Sequence, residues 1–95
     1  MILSTLAQKI EKEQIKFLKF PKKDVLSKKM DQLNRLIELN RAMLLGNLER
    51  EKVNIIFADE NGYKKVETTI WGVTDKSVIL KQSMLIPLQR IIRIQ

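Results

Sequence analysis

Residues 53–94 form a run of short apolar segments divided by turn residues, and this run restricts the possible folds more than anything else in the chain. Val53, Ile55 and Phe57 alternate with Asn54, Ile56 and Ala58, the two-residue period that sends side chains to opposite faces of a strand. Asp59-Glu60-Asn61-Gly62 comes next; Asn and Gly accept positive φ at little cost, so the chain is expected to reverse there as a hairpin. The return strand, about residues 64–73, keeps Val66, Thr68 and Ile70 on the inward parity and then moves its bulk to Trp71 and Val73 on the other. A parity reversal inside one strand predicts a bend or bulge, and Gly72 stands where one fits. Asp75-Lys76 turns the chain into Val78-Ile79-Leu80. Pairing Val73 with Val78 sets Trp71 opposite Leu80, with the indole read as core. Gln82-Ser83 marks another turn, residues 84–87 a fourth strand, Leu88-Gln89-Arg90 a short turn and residues 91–94 a fifth strand. Pro87 has no N–H to give to a ladder, which assigns it to an edge or a strand end.

Two helices are expected ahead of these strands. Over residues 3–19, Ile2, Leu3, Leu6, Ile10 and Phe17 share one arc of a helical wheel, and Lys9, Lys12, Lys16 and Lys19 share the next. That is the pattern of a basic amphipathic helix, with Ser4 or Thr5, the latter facing Gln8, as its cap. Phe20-Pro21 ends it, because proline turns the preceding residue away from helical geometry. A second helix over residues 24–46 opens at Asp24 or Ser27. Leu26, Met30, Leu33, Leu36, Ile37 and Leu44 fill about a third of its wheel, with Asp31, Asn34, Arg35 and Glu38 opposite. The apolar arc is expected against the sheet, with Met30 and Met43 as core filler. Gly46-Asn47 reads as the stop, glycine supplying a left-handed residue, and Leu48 as an anchor of the helix end to the sheet.

A chain of 95 residues is read as a single domain: a basic helix over 1–20 that is loosely attached, a helix over 24–46 and a small β-barrel over 52–94. There is no Cys, which fits a reducing compartment, and no His. No apolar run has the length of a membrane span and the first residues lack a basic leader, so the expected location is the cytoplasm. Catalysis is not expected: imidazole and thiol are absent, and Glu11 with Glu13 and Glu49 with Glu51 read as solvated surface. No cofactor is expected, because the three glycines make no phosphate-cradling loop, and no metal, because thiolates are absent and Asp59-Glu60-Asn61-Gly62 lacks the alternating ligands and distal Glu of a calcium loop. The net charge is +7, from 18 basic and 11 acidic residues, with ten basic and five acidic residues in positions 1–47. Such an excess attracts nucleic acid, anionic lipid or acidic partners, and also keeps a small protein dispersed.

A helix, five strands, a long bent second strand and a short turn before the last strand resemble the Sm-like small barrel over residues 24–94. Locally, Asp75-Lys76-Ser77-Val78-Ile79-Leu80-Lys81 with the final apolar strand pair looks like the bacterial Hfq-type RNA chaperones, and other bacterial SH3-like barrels are similar. The resemblance implies an α+β fold, two N-terminal helices followed by a five-stranded antiparallel barrel. It does not imply the uridine pocket of that family. Ile86-Pro87-Leu88 stands where those proteins carry Tyr-Lys-His, and Thr68 and Thr69 stand where they carry a glycine.

The first functional reading is a non-enzymatic interaction or adaptor module that associates with itself or a protein partner through Met30, Leu33, Ile37 and Leu44. The second is an RNA- or DNA-binding regulator in which Lys64, Lys65, Arg90 and Arg93 meet phosphates, with Tyr63 and Trp71 as the aromatics available for stacking. The third is attachment to a membrane surface through residues 2–20.

Overall fold

The computed structural model describes residues 6–95. Among these residues, seven strands lie in two sheets beside one long helix. After β1 (Gln8–Lys9) and a 3-10 turn (Lys12–Phe17) comes the helix α1 (Lys29–Glu49). The remaining strands are β2 (Val53–Asp59), β3 (Gly62–Thr68), β4 (Ile70–Val73), β5 (Ser77–Leu80), β6 (Leu85–Pro87) and β7 (Ile91–Ile94). One sheet has the order β1-β3-β2-β7 and the other β4-β5-β6.

The turns form where local chemistry calls for them. β2 and β3 pair from Val53 with Thr68 to Asp59 with Gly62. Gly62 has φ +142°, a value that favours glycine, and Asp59 Oδ1 accepts the Asn61 and Gly62 N–H groups at 2.8 and 2.9 Å. At the next reversal, Thr74 Oγ1 accepts the amides of Lys76 and Ser77, and Val73 pairs with Val78. The long return strand bends as its sequence implies. It breaks at Thr69, serves the first sheet as β3 and the second as β4, and bulges between Ile70 and Gly72. The bulge pairs Ile70, not Trp71, with Leu80, and leaves the indole half in water. Pro87 ends β6, an edge strand. β7 returns to pair with β2, with a register shift between Ile56 and Phe57.

The expected architecture of two N-terminal helices and a five-stranded barrel is not what forms. The described strands make two sheets that do not close, and residues 8–17 do not continue the α-helix expected over 3–19. Gln8 and Lys9 lie parallel to Lys64 and Lys65, and Ile10 N–H donates to Lys65 O at 2.9 Å. Ile10 and Ile15 explain the difference. Both are buried in the core, yet on an α-helix they would point about 140° apart. An extended strand followed by a 3-10 turn brings both inward, leaves Phe17 in water and satisfies the edge of β3. Ile2, Leu3, Ser4 and Thr5 lie outside the described residues.

The second helix forms with shifted ends. It starts at Lys29 because the Asp24 carboxylate is engaged elsewhere, on Leu26 N–H and Arg35. It runs through Gly46 to Glu49, and Arg50, at φ 57°, takes the left-handed cap position with its N–H on Gly46 O. Gly46 serves contact instead of termination. A Cβ there would lie 2.8 Å from Ile70 O and 2.9 Å from Thr69 Cγ2. The core draws on both sheets (Ile55, Phe57, Val66, Ile70, Val78, Leu80, Ile86 and Ile91), closed by Leu39 and Ala42 of α1.

Candidate interaction surfaces

The two faces of α1 differ in size of side chain and in what they touch. The inner face carries Arg35, Leu39, Ala42 and Gly46, all buried. Arg35 acts as a clamp: Nη1 donates to Asp24 Oδ1 (2.9 Å) and Ile91 O (3.0 Å), and Nη2 to Asp24 Oδ2 (2.8 Å). The guanidinium, together with the Leu26 N–H, holds the Asp24 carboxyl below its ordinary range. The clamp ties the helix to the segment before it and to β7. Arg35 was expected on the solvent side, yet its position on the wheel is the one that meets the sheet.

The outer face holds the four residues assigned to self-association from the sequence. Met30 is 65% exposed, Leu33 52%, Ile37 48% and Leu44 56%. The arc expected on the sheet therefore faces water, Met30 included. Leu48, 81% exposed, continues the stripe instead of anchoring the helix end. Its i+4 spacing from Leu44 was the available signal, and reading Gly46 as a stop concealed it.

The four basic residues assigned to nucleic acid do not gather on one open face. Lys64 is buried, with Nζ 3.4 Å from Asp59 Oδ1, the carboxylate oxygen that also closes the hairpin turn. Arg90 is buried too, its Nε donating to Ala58 O (2.9 Å) and Nη1 to Lys23 O (2.8 Å). Lys65 and Arg93 do come together, in one row across the sheet on either side of Ile56. Both are half-buried. Tyr63 flanks the hairpin turn and is exposed. A cleft of about 660 Å³ runs between Lys23, the hairpin turn and Arg90, but its Asp24, Asp59 and Arg90 are spent on the internal bonds just described.

Among the described residues, no group of three or more His, Cys, Asp or Glu side chains is placed to hold a metal ion. Among them, too, no helix is long and apolar enough to cross a membrane. What the geometry offers is surface for contact: an apolar stripe on α1 and an exposed indole on β4. Comparison with known proteins adds no identity, for no protein family, no curated protein and no solved structure matches this chain.

Proposed function

We propose that this protein is a self-associating interaction module in which the outer face of α1 receives a second copy of the chain. The observation that carries the reading is the stripe Met30, Leu33, Ile37, Leu44 and Leu48, large apolar side chains left in water on a helix already anchored by its other face. With Leu36 it leaves on the order of 600 Å² of apolar surface per copy, at the upper end for a monomer. Two copies together would cover roughly 1,200 Å², the lower bound of stable specific interfaces.

A second copy is favoured over an unrelated chain by the stripe's symmetry. Met30 and Leu48 lie at its ends, Leu33 and Leu44 inside them, and Ile37 near the middle. A two-fold axis at the middle of α1 sets Met30 of one copy against Leu48 of the other and Leu33 against Leu44, an isologous contact. Met30, Ile37 and Leu44 recur every seven residues, the period that lets two helices stay in register along their length. Asn40 fills the position between Ile37 and Leu44, with its Nδ2 donating to Leu36 O at 2.9 Å.

The test is the mass in solution as a function of concentration, by analytical ultracentrifugation. The expected result is a rise from one chain to two, and a Leu33→Glu/Ile37→Glu variant that stays a single chain with an unchanged circular dichroism spectrum. A wild-type chain that remains single throughout overturns the proposal.

A further inference from the structure

We propose that the recess at the C-terminal end of α1 binds single-stranded nucleic acid, Trp71 stacking on a base while Arg50, Lys52 and Lys81 hold the adjoining phosphates. Three segments converge there. The end of α1 brings Asn47 and Arg50, the residue ahead of β2 is Lys52, and Lys81 follows β5, its N–H donating to Thr69 O at 3.2 Å. The recess has a volume of about 460 Å³, within the size range of small-ligand sites, and no carboxylate lines it.

Three features set this place apart from the other basic residues. First, Arg35, Lys64 and Arg90 are committed to internal bonds, whereas no hydrogen bond or ion pair engages the side chains of Arg50, Lys52 or Lys81 among the described residues. Three like charges line the recess with no carboxylate among its walls, and an anion held there relieves their mutual repulsion. Second, Trp71 is half exposed beside them, at the bulge that turned it away from the core. An indole face flanked by cations fits a base with its phosphate, and a duplex withholds its base faces from such a contact. Third, the described non-glycine residues with positive φ are Arg50 (57°), Gln82 (65°) and Ser83 (62°). Arg50 lines the recess, and the other two directly follow its wall residue Lys81 in the chain. Arginine occupies a cap position that glycine fills at lower cost, which places a charge where helix geometry alone does not ask for one. Thr69 and Asn47 supply hydrogen-bonding groups for the base edge. None of these residues belongs to the outer stripe of α1, so the inference stands apart from self-association.

Trp71 is the single tryptophan of the chain, and its emission reports the site directly. The full-length protein is titrated with oligouridylate and oligothymidylate, with duplex DNA, with tripolyphosphate and with anionic vesicles. Single strands are expected to quench the emission saturably, with an affinity that falls with salt at a log–log slope of about −2 for three phosphate contacts. Measured by anisotropy of a labelled strand, Trp71→Leu should weaken binding by about tenfold to a hundredfold. Lys52→Glu/Lys81→Glu should abolish it, with thermal melts confirming that both variants fold. Leu33→Glu/Ile37→Glu should still bind, which separates this site from the self-association surface. Absent quenching by single strands overturns the proposal. So does equal quenching by tripolyphosphate combined with undiminished binding by Trp71→Leu, which marks an anion site without stacking. A response to vesicles alone also overturns it, in favour of a lipid surface.

Discussion

Along its inner face α1 presents Arg35, Leu39, Ala42 and Gly46 to the sheets; along its outer face it presents Met30, Leu33, Ile37, Leu44 and Leu48 to water. Judged by hydrophobicity alone, the outer face should have been the one to bury. Packing distance decided otherwise. Where α1 crosses β4 the backbones come so close that even a methyl group on Gly46 would meet Ile70 O, and between Leu39 and Gly46 the small Ala42 is the buried apolar side chain, with Met43 packed partly buried beside it. A row of leucines at those positions would hold the helix off the sheet and open voids beneath it. The difference teaches that the best-fitting face of a helix is buried within the domain, and that a more apolar face left outside is available to something else.

Substitutions on the two faces should therefore have unequal costs. The largest effect is expected from Leu39→Ala. Leu39 is fully buried, and its truncation should lower unfolding stability by about 3–4 kcal/mol in urea titration. Arg35→Ala should cost about 2–3 kcal/mol, below the loss typical of fully buried pairs because Asp24 keeps some solvent. Gly46→Ala should cost about 1–2 kcal/mol, although alanine elsewhere in a helix is favoured over glycine. A gain in stability there would show that the helix and β4 are farther apart than described. Leu33→Ala should cost less than about 0.5 kcal/mol at dilutions where the chain is single, and more at concentrations where two copies associate. Equal costs for Leu33→Ala and Leu39→Ala at every dilution would erase the distinction between the faces.

Acid provides a subtler probe of the inner face. Arg35 holds the Asp24 carboxyl below its ordinary value of 3.8, so the unfolded chain takes up a proton more readily than the folded one. The contribution of the pair to stability is complete above that value and is lost as the pH falls through the lowered pKa. Asp24→Asn should flatten this part of the stability profile in acid, and so should Arg35→Met. Unchanged acid dependence in both variants would remove the clamp from the account of how α1 is held.

Much of the β-structure was legible because it is local. Asn61-Gly62 marked the first hairpin, Asp75-Lys76 the second, and the parity change at Ile70 and Trp71 the bend that lets one strand serve two sheets. The recess proposed to bind nucleic acid was less legible. The aromatic was visible in the sequence, but the cations beside it are not its chain neighbours. Lys52 and Lys81 reach Trp71 only through the strand pairing, and Arg50 only because the helix runs three residues past Gly46. Lys64 and Arg90 looked equally suitable as phosphate ligands, since a sequence does not show that Asp59 and the carbonyls of Ala58 and Lys23 already occupy them.

By itself the sequence determined the turns, the positions along the chain of the strand segments from β2 to β7, with β3 and β4 read as one bent strand, and the existence of the long amphipathic helix α1, because these follow from φ preferences and side-chain period over a few residues. Tertiary structure alone decided which face of that helix is buried, the strand-and-turn path of residues 8–17 and the exposure of Trp71. Each of these depends on the distance between elements far apart in the chain: Gly46 to Ile70, Ile10 and Ile15 to one shared core, and Ile70 to Leu80 across a bulge. Periodicity says which side chains share a face, but only close packing says which face the rest of the molecule can approach.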